Sequence, residues 1–202
     1  PLTIDPTMKT DHEIWSLNAT HKIQLSGDYY SGGPAAGLKG SISTYVKTVN
    51  KLGNLDFEDF IFGNGTSTTI AALEEFESDL DEDGQMSATL FTDFNTKASQ
   101  LYEVLINGTV FDVGGRANTT RLNIPLDTAN GYIGIRPDFD EYIDEGVAPS
   151  FTIANVNREG QPLGFDAVSY SIQRIYYDYS WNYNNGWRWN RVRMDSETVE
   201  AG

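Results

Sequence analysis

Short runs of alternating apolar and polar residues, separated by turn signals, recur along this chain at intervals of roughly 8 to 15 residues. The run HKIQLSGDYY alternates through Ile23 and Leu25, and the run LKGSISTYVKTV alternates through Gly40, Ile42 and Thr44. Because successive side chains of a strand point to opposite faces, this pattern predicts strands that bury one face. The chain is therefore predicted to be all-β, built from antiparallel sandwiches of the immunoglobulin or fibronectin type III architecture.

Around Gly131 the pattern begins again. The run YIGIRPDF resembles the opening strand of the chain, and APSFTIANVNREGQPLGF resembles the earlier strand and its loop. This internal repeat predicts two domains of one type, a β-sandwich over residues 1–130 and a second over residues 131–202. Since the second copy is little more than half as long as the first, we expect it to lack closing strands and to leave an open edge.

The segment over residues 50–77 is less regular than the rest. We interpret FEDFIFGNG as a short strand and TTIAALEEFE as one helical turn, and we expect residues 64–82 to form the most exposed loop. Further on, LYEVLINGTVF and ANTTRLNIPL have the pattern of two strands joined at Gly114-Gly115. These two strands would close the first sandwich.

An acidic run precedes the strand-like sequence QMSATLFTD. The alternate carboxylates of Asp79, Asp81 and Asp83, followed by Gly84, resemble the start of a calcium loop. The twelfth position, where such a loop needs a bidentate Glu, is Leu90, and both flanks have the pattern of strands. A β-hairpin turning at Asp83-Gly84 is therefore preferred, with calcium binding by the loop as the alternative.

Aromatic residues are concentrated near the C-terminal end of the sequence. The candidate interaction surface consists of Tyr177, Tyr179, Trp181, Tyr183, Trp187 and Trp189. If residues 184–186 form a three-residue loop, Tyr183 pairs with Trp187 and Trp181 pairs with Trp189 in one long hairpin. We prefer this structural interpretation, or packing against a neighbouring domain. The alternative is a carbohydrate-binding module that stacks sugar rings on the Tyr176–Trp189 hairpin.

Charge and composition exclude several classes of partner. With 29 acidic and 14 basic residues, the chain has a formal net charge of −15. Binding a phosphate backbone requires clustered Lys and Arg, so nucleic acid is not expected as a partner. The sequence contains no cysteine, which removes thiol nucleophiles and cysteine-based metal sites from these residues. No run approaches the ~20 apolar residues that span a bilayer, so no direct membrane contact is expected.

Motifs for catalysis and cofactor binding are absent from the sequence. His12 and His21 are not part of an HExxH pattern, so no metal site is expected there, and we expect both at the surface or at a strand edge. No GxSxG, P-loop or GxGxxG motif follows a strand-like run. Paired carboxylates for glycoside hydrolysis stay an open alternative, because spacing in sequence does not fix spacing in space. The sequence predicts no enzyme, no catalytic residue and no cofactor.

Five motifs occur in an order that resembles the central region of bacterial alpha-2-macroglobulins. They are GDYYSGGPAAGLKG, FEDFIFGN, VFDVGGRANTTR, YIGIRPDFDEYIDEGVAPSFTIANVNREGQPL and SIQRIYYDYSWNYNNGWRW. Each motif is weak alone, but their shared order covers nearly the whole chain. The chain departs from the family's G-A-P-A loop, where it has Gly33-Pro34-Ala35-Ala36.

The resemblance implies consecutive macroglobulin-like domains, each a seven-stranded antiparallel sandwich, within the frame of a broad-spectrum protease trap. In that family a protease cuts a bait region and is enclosed, and many members then bind it through a Cys-x-x-Gln thioester. These residues contain no cysteine, so the thioester is not among them. The implied partners are neighbouring domains of a longer chain and, through the intact protein, target proteases. The implied location is the periplasm or cell envelope.

Overall fold

The computed structural model describes residues 3–64, 68–140, 142–144, 146–183 and 187–202. Its regular structure is β-strand apart from one short 3-10 helix, Leu55–Phe57, so none of the described helical residues could cross a bilayer. In chain order, the strands are β1 (Ile4–Thr10), β2 (Trp15–Ser16), β3 (Thr20–Tyr29), β4 (Lys39–Val49), β5 (Ile61–Phe62), β6 (Thr68–Asp79), β7 (Gln85–Phe91), β8 (Leu101–Phe111), β9 (Ala117–Asp127), β10 (Tyr132–Pro137), β11 (Phe151–Val156), β12 (Ser171–Tyr183) and β13 (Trp187–Ala201). The predicted all-β fold class is confirmed.

The first nine strands, apart from β5, form two sheets that share one core. One sheet has the order β1-β3-β7, and the other has the order β2-β9-β8-β4-β6. Neighbouring strands run antiparallel, except that β2 runs parallel to β9. In β4, Gly40, Ile42, Thr44 and Val46 are buried while the residues between them are partly exposed. The alternation predicted from the sequence is confirmed.

The first core lies between these two sheets and consists mainly of aliphatic side chains. β3 contributes Ile23 and Leu25, β4 contributes Ile42 and Val46, and β8 contributes Ile106, all fully buried. Complete burial of a side chain of this size stabilises a fold by roughly 1.5–3 kcal/mol. The residues that fill the first core are therefore the ones that strict alternation selects.

Residues 68–79 form a strand, not a helical turn or a loop. β6 pairs with β4, and its Leu73 and Phe76 pack against the first core. Two register shifts interrupt the pairing, so the inward side chains fall three residues apart and imitate helical spacing in the sequence. The predictions of a helical turn in TTIAALEEFE and of an exposed loop here are wrong, because strand pairing overrides the helix propensity of Ala, Leu and Glu. The predicted short strand in FEDFIFGNG is present as β5.

The turn after β6 connects two strands that belong to different sheets. Asp81 Oδ1 accepts hydrogen bonds from Asp83 N at 3.0 Å and Gln85 N at 2.8 Å, and Gly84 N donates to Asp81 O at 3.0 Å. The turn is therefore present, but β6 pairs with β4 whereas β7 pairs with β3. The predicted hairpin at Asp83-Gly84 is wrong, because turn chemistry is local and does not determine which strands pair.

β8 and β9 form the hairpin predicted at Gly114-Gly115. Asp112 Oδ1 accepts hydrogen bonds from Arg116 N and Gly114 N, both at 2.9 Å, and Asp112 Oδ2 lies 3.2 Å from Arg116 Nε. Gly115 has a φ of 78°, a left-handed conformation that favours glycine. The hydrogen bonds from the backbone of Arg116 and Gly114 lower the pKa of Asp112 from its ordinary value.

The chain beyond β9 supplies two further pieces. β10 and β11 pair as an antiparallel hairpin, and β5 pairs with the other side of β10. Pro1–Leu163 form one compact unit, whereas Gly164–Gly202 form a second unit that contains the antiparallel hairpin of β12 and β13. The division of the chain at residue 130 and the incompleteness of the second sandwich stay predictions.

Candidate functional site

A second core joins the first sandwich to the β10–β11 hairpin within the first unit. Its buried members are Val49, Leu52, Phe60, Phe62, Leu101, Tyr132 and Val156. Val49 ends β4 and Leu101 begins β8, while Tyr132 begins β10 and Val156 ends β11. The second core therefore packs the ends of sandwich strands against the strands that follow them in the chain.

β5 brings the two parts together through a matched pair of residues. Ile61 pairs with Ile135 and Phe62 pairs with Gly134 across two antiparallel strands. A Cβ atom at Gly134 would lie 2.6 Å from Phe62 Cε1 and Cζ, which is closer than carbon atoms can approach. The Phe62 ring fits only because residue 134 is glycine.

Aromatic rings around the 3-10 helix cover one side of this pairing. Phe57 contacts Phe60 edge to face, with ring centroids 5.5 Å apart, and lies 6.5 Å from the Phe62 ring. The guanidinium of Arg136 in β10 lies over the Phe60 ring, 5.1 Å from its centroid. Such a cation–π contact adds about 0.5–1 kcal/mol at an exposed site. The ring cluster thus contacts β10 through both apolar and charged side chains.

The hydroxyl of Tyr132 fixes the connection between β9 and β10. It accepts hydrogen bonds from Thr128 N at 2.7 Å and Ala129 N at 3.2 Å, and it donates to Asp127 Oδ1 at 3.0 Å. Burial raises the pKa of Tyr132 above its ordinary value. The Tyr132 side chain is fully buried, so its ring belongs to the second core while its hydroxyl holds the four residues that link the two parts.

Arg158, in the turn after β11, is the charged residue of this site. Its side chain is 3% exposed, and its Nη1 donates a hydrogen bond to Leu52 O at 2.9 Å. Its Nε and Nη2 atoms find no hydrogen-bond partner among the residues that the structure describes. Burial lowers the pKa of Arg158, while the neighbouring Tyr132 and Glu103 act in the opposite direction. The guanidinium of an arginine stays protonated in proteins. The hydrogen bond from Arg158 to Leu52 O is therefore charge-assisted, and it anchors the turn after β11 to the first sandwich.

A second contact lies beside Arg158. Asn54 Nδ2 is 3.5 Å from Glu159 O, at the long limit of a hydrogen bond, so the same turn contacts the same loop twice. The polar side chains of this site are thus used to hold backbone groups in place. Within the described ranges, no group of three or more His, Asp or Glu residues is arranged to hold a metal ion. This site can hold the first sandwich and the β10–β11 hairpin together by packing and hydrogen bonding.

The three carboxylates of the calcium alternative occupy different settings. Asp79 ends β6 and pairs with Lys39 of β4, whereas Asp81 accepts the turn hydrogen bonds described above. Asp83 supplies a backbone N–H to Asp81. One carboxylate oxygen of Asp81, Oδ1, is therefore used by the backbone, and calcium binding stays an untested prediction.

The aromatic hairpin has the register predicted from its sequence. Trp181 pairs with Trp189 and Tyr183 pairs with Trp187 in the β12–β13 ladder, while Asn184-Asn185-Gly186 lie outside the described residues. Nearer the other end of the hairpin, Tyr176 and Tyr177 are both exposed, and the Tyr176 hydroxyl donates to a carboxylate of β13 at 3.0 Å. The register agrees with cross-strand pairing, and the use of Tyr177, Tyr179 and their neighbours as an interaction surface stays a prediction.

His21 does not lie at the surface or at a strand edge, so that prediction is wrong. It belongs to β3, the central strand of its sheet, and is 3% exposed. Its ring stacks on Trp15 with centroids 4.4 Å apart, and its Nε2 bonds Ser16 O at 2.9 Å. His12, by contrast, is exposed.

Sequence reasoning missed the residues that form the second core. Phe60 and Phe62 were visible as part of a short strand, but their partner Gly134 is some seventy residues away and carries no local signal. Arg158 lies in an Asn-Arg-Glu-Gly turn, where an arginine is ordinarily solvent-exposed. The available hint was the density of Phe in a segment too irregular to be a sandwich strand.

Comparison with protein families finds two consecutive domain matches. A family model described as the bacterial alpha-2-macroglobulin MG5 domain matches residues 3–127, and one described as bacterial macroglobulin domain 6 matches residues 134–201. An alpha-2-macroglobulin of Xylella fastidiosa is 28% identical over 180 residues, which cover 86% of this chain and 11% of that protein. The alpha-2-macroglobulin of Escherichia coli is 25% identical over 198 residues, covering 89% of this chain and 12% of that protein.

Solved structures agree in fold. Salmonella alpha-2-macroglobulin reacted with methylamine covers the whole of this chain with a TM-score of 0.77 at 20% identity, and this chain covers 14% of it. The native conformation of Escherichia coli alpha-2-macroglobulin gives a TM-score of 0.69 at 19% identity, again with full coverage of this chain and 14% of the other. The MG5 match alone spans more than half of the chain, and the chain belongs to the bacterial alpha-2-macroglobulin family.

Proposed function

We propose that this chain is a structural segment of a bacterial alpha-2-macroglobulin, a broad-spectrum protease-trapping inhibitor, and that it contributes shape instead of catalysis. The observation that carries this proposal is the second core. It packs Phe62 and Leu101 of the region that matches MG5 against Val156 of the region that matches domain 6. A frame that encloses a protease must hold its parts in fixed relation, and the contacts between the first sandwich and the β10–β11 hairpin support such a role.

The energetics of the junction support a rigid connection. Each fully buried aromatic or aliphatic side chain stabilises a fold by roughly 1.5–3 kcal/mol, and opening the junction would expose Phe62, Leu101 and Tyr132 together. Linkers that permit free domain motion are exposed, polar and poor in contacts. Here the linker of residues 128–131 is held by the Tyr132 hydroxyl. These contacts support motion of the first sandwich and the β10–β11 hairpin as one body.

The remaining parts of the proposal rest on the relatives. The chain spans 11 to 12% of the curated relatives that it matches, so protease trapping belongs to the whole protein. We assign it neighbouring domains of a longer chain as direct partners, and target proteases as partners through the intact protein. We assign it no cofactor, and we place it in the periplasm or cell envelope.

The proposal is tested with the isolated chain and with the full-length protein. The isolated chain, mixed with a serine protease, should leave cleavage of both small and protein substrates unchanged. In the full-length protein, Phe62→Ala should reduce the fraction of protease that is shielded from protein substrates. Phe91→Ala is the matched control, because Phe91 is 54% exposed on β7 and should leave trapping unchanged. Inhibition by the isolated chain, or full trapping by Phe62→Ala, would contradict the proposal.

A further inference from the structure

β6 is an edge strand with one open side. It is the last strand of the five-stranded sheet, and β4 is its one neighbour among the described strands. From residue 71 to residue 79 every side chain is exposed except Leu73 and Phe76, which are half-buried. The backbone N–H and C=O groups that point away from β4 can therefore pair with another extended segment.

Two threonines of β4 hold β6 in place where the ladder is irregular. Thr44 Oγ1 accepts a hydrogen bond from Glu74 N at 3.0 Å and donates one to Glu74 O at 2.8 Å. Thr48 Oγ1 accepts from Thr68 N at 3.2 Å and donates to Thr68 O at 3.4 Å. These side chains bond backbone groups of β6, which is therefore anchored at its first residue and near its middle. An anchored edge loses little conformational entropy when a further strand pairs with it.

The charges of β6 decide what can pair with it. Glu75, Glu77 and Asp79 alternate along the strand and so share one face of the sheet. On β4 the one basic residue opposite them is Lys39, which pairs with Asp79, while serines lie opposite the other two. A second copy of β6 would bring like charges together, which is unfavourable across strands. An extended segment with Lys or Arg at alternate positions would instead place cations beside these carboxylates.

A groove at the end of β6 fits long cationic side chains. It has a volume of about 820 Å³, and Glu77 and Asp79 line it together with Lys39, Phe111 and Val113. Val113 is 90% exposed, so this part of the groove offers apolar surface. Lys and Arg side chains place their methylene groups on such surface while the charged group stays near carboxylates.

We propose that β6 is a docking edge for an extended, cationic segment of a partner polypeptide, which adds to the five-stranded sheet as a further strand. Backbone hydrogen bonds along β6 supply the affinity. Lys or Arg side chains at alternate positions meet Glu75, Glu77 and Asp79, and these contacts fix the register. This interaction is additional to the structural role of the second core.

The test uses synthetic peptides and the complete chain. The probe is a fluorescent Lys-Thr-Lys-Val-Lys-Thr-Lys peptide, and its matched control replaces the central Val by Pro, which keeps the charge but cannot continue a strand. The protein variants are Glu75→Gln/Glu77→Gln/Asp79→Asn and a control, Asp56→Asn/Glu58→Gln/Asp59→Asn, which removes the same number of exposed carboxylates elsewhere. Binding is measured by fluorescence anisotropy, and hydrogen exchange reports which amides the peptide protects.

We expect the probe to bind the wild-type chain and to slow amide exchange within residues 71–79. The β6 triple variant should weaken binding about tenfold, since each surface ion pair contributes a modest share. The control variant should change binding less than twofold, and the proline peptide should not protect β6. Equal binding of the two peptides, or equal weakening by the two triple variants, would reduce the interaction to non-specific charge attraction and overturn the proposal. Absence of binding to the wild-type chain would overturn it as well.

Discussion

The first core and the second core are built by different rules. The first core takes its residues from long, regular strands, such as Ile42 and Val46 of β4, at every second position. The second core takes Leu52 and Phe60 from a segment outside the long strands, and it includes the buried cation of Arg158 at its margin. A sandwich interior follows from alternation within each strand. The junction between the first sandwich and the β10–β11 hairpin is assembled from irregular segments and single long-range pairs.

We expect the largest loss of stability from a substitution at Phe62. This substitution tests whether the second core is packed as tightly as the first. Phe62→Ala should lower the free energy of unfolding by about 3–5 kcal/mol, because it removes a fully buried ring that fits against Gly134. The comparison is Ile106→Ala in the first core, expected to cost about 2–5 kcal/mol. Urea denaturation of both variants measures the two values. A cost below about 1 kcal/mol for Phe62→Ala would show that the junction is loosely packed.

Replacing Arg158 separates packing from hydrogen bonding at the junction. Arg158→Ala should lower the free energy of unfolding by about 2–3 kcal/mol, because it leaves Leu52 O without its partner and removes the packed side chain. Arg158→Met keeps most of the packing and removes a buried charge that costs energy to desolvate. The methionine variant should therefore be more stable than the alanine variant in thermal denaturation. The opposite order would mean that the packed methylene groups of Arg158 add nothing to the stability of the fold.

Thr44→Val tests a buried hydrogen bond between β4 and β6, away from the second core. The variant keeps the shape of the side chain but leaves Glu74 N and Glu74 O without the hydroxyl of Thr44, so we expect a loss of about 1–2 kcal/mol. Ser43→Ala is the matched control, since its hydroxyl contacts an exposed carboxylate and should contribute less than about 0.5 kcal/mol. Chemical denaturation compares them. Equal effects would mean that the buried hydroxyl does not hold β6.

The smallest effect concerns the β8–β9 turn and its dependence on pH. The pKa of Asp112 is lower in the folded chain than its ordinary value of 3.8, mainly because of the hydrogen bond from Arg116 N. A carboxylate of this kind stabilises the fold above its unfolded pKa, and the contribution is lost as pH falls through the folded value. Asp112→Asn should therefore lower the melting temperature slightly at pH 7, and this effect should disappear once the pH is below the lowered pKa of Asp112 in the folded chain. A difference that persists in acid would assign the effect to geometry and not to charge.

The sequence predicted the parts of the fold that local patterns encode. The alternation of β3 and β4, the Gly114-Gly115 turn and the pairing of Trp181 with Trp189 follow from side-chain period and turn chemistry, and all are present. Two features could not be predicted in this way. The two register shifts disguised β6 as a helix, and the Asp81–Gly84 turn does not reveal that its strands belong to different sheets.

The junction was missed for a similar physical reason. The contact of Phe62 with Gly134 joins residues that are far apart in sequence, and neither residue type predicts it. His21 was placed at the surface because a lone histidine is most often solvated, whereas here it stacks on Trp15 inside the sandwich. Long-range packing therefore decides the features that periodicity leaves open.

The most direct test of the central claim is native-state hydrogen exchange at low urea concentrations. We expect the backbone amides of β10, residues 132–137, to open with the same free energy as those of β8, because the second core makes both part of one cooperative unit. Phe62→Ala should then lower the opening free energy of β10 more than that of β8. Exchange of β10 by separate opening at much lower free energy in the wild-type chain would contradict the account, since the two parts would then be joined only by a flexible linker.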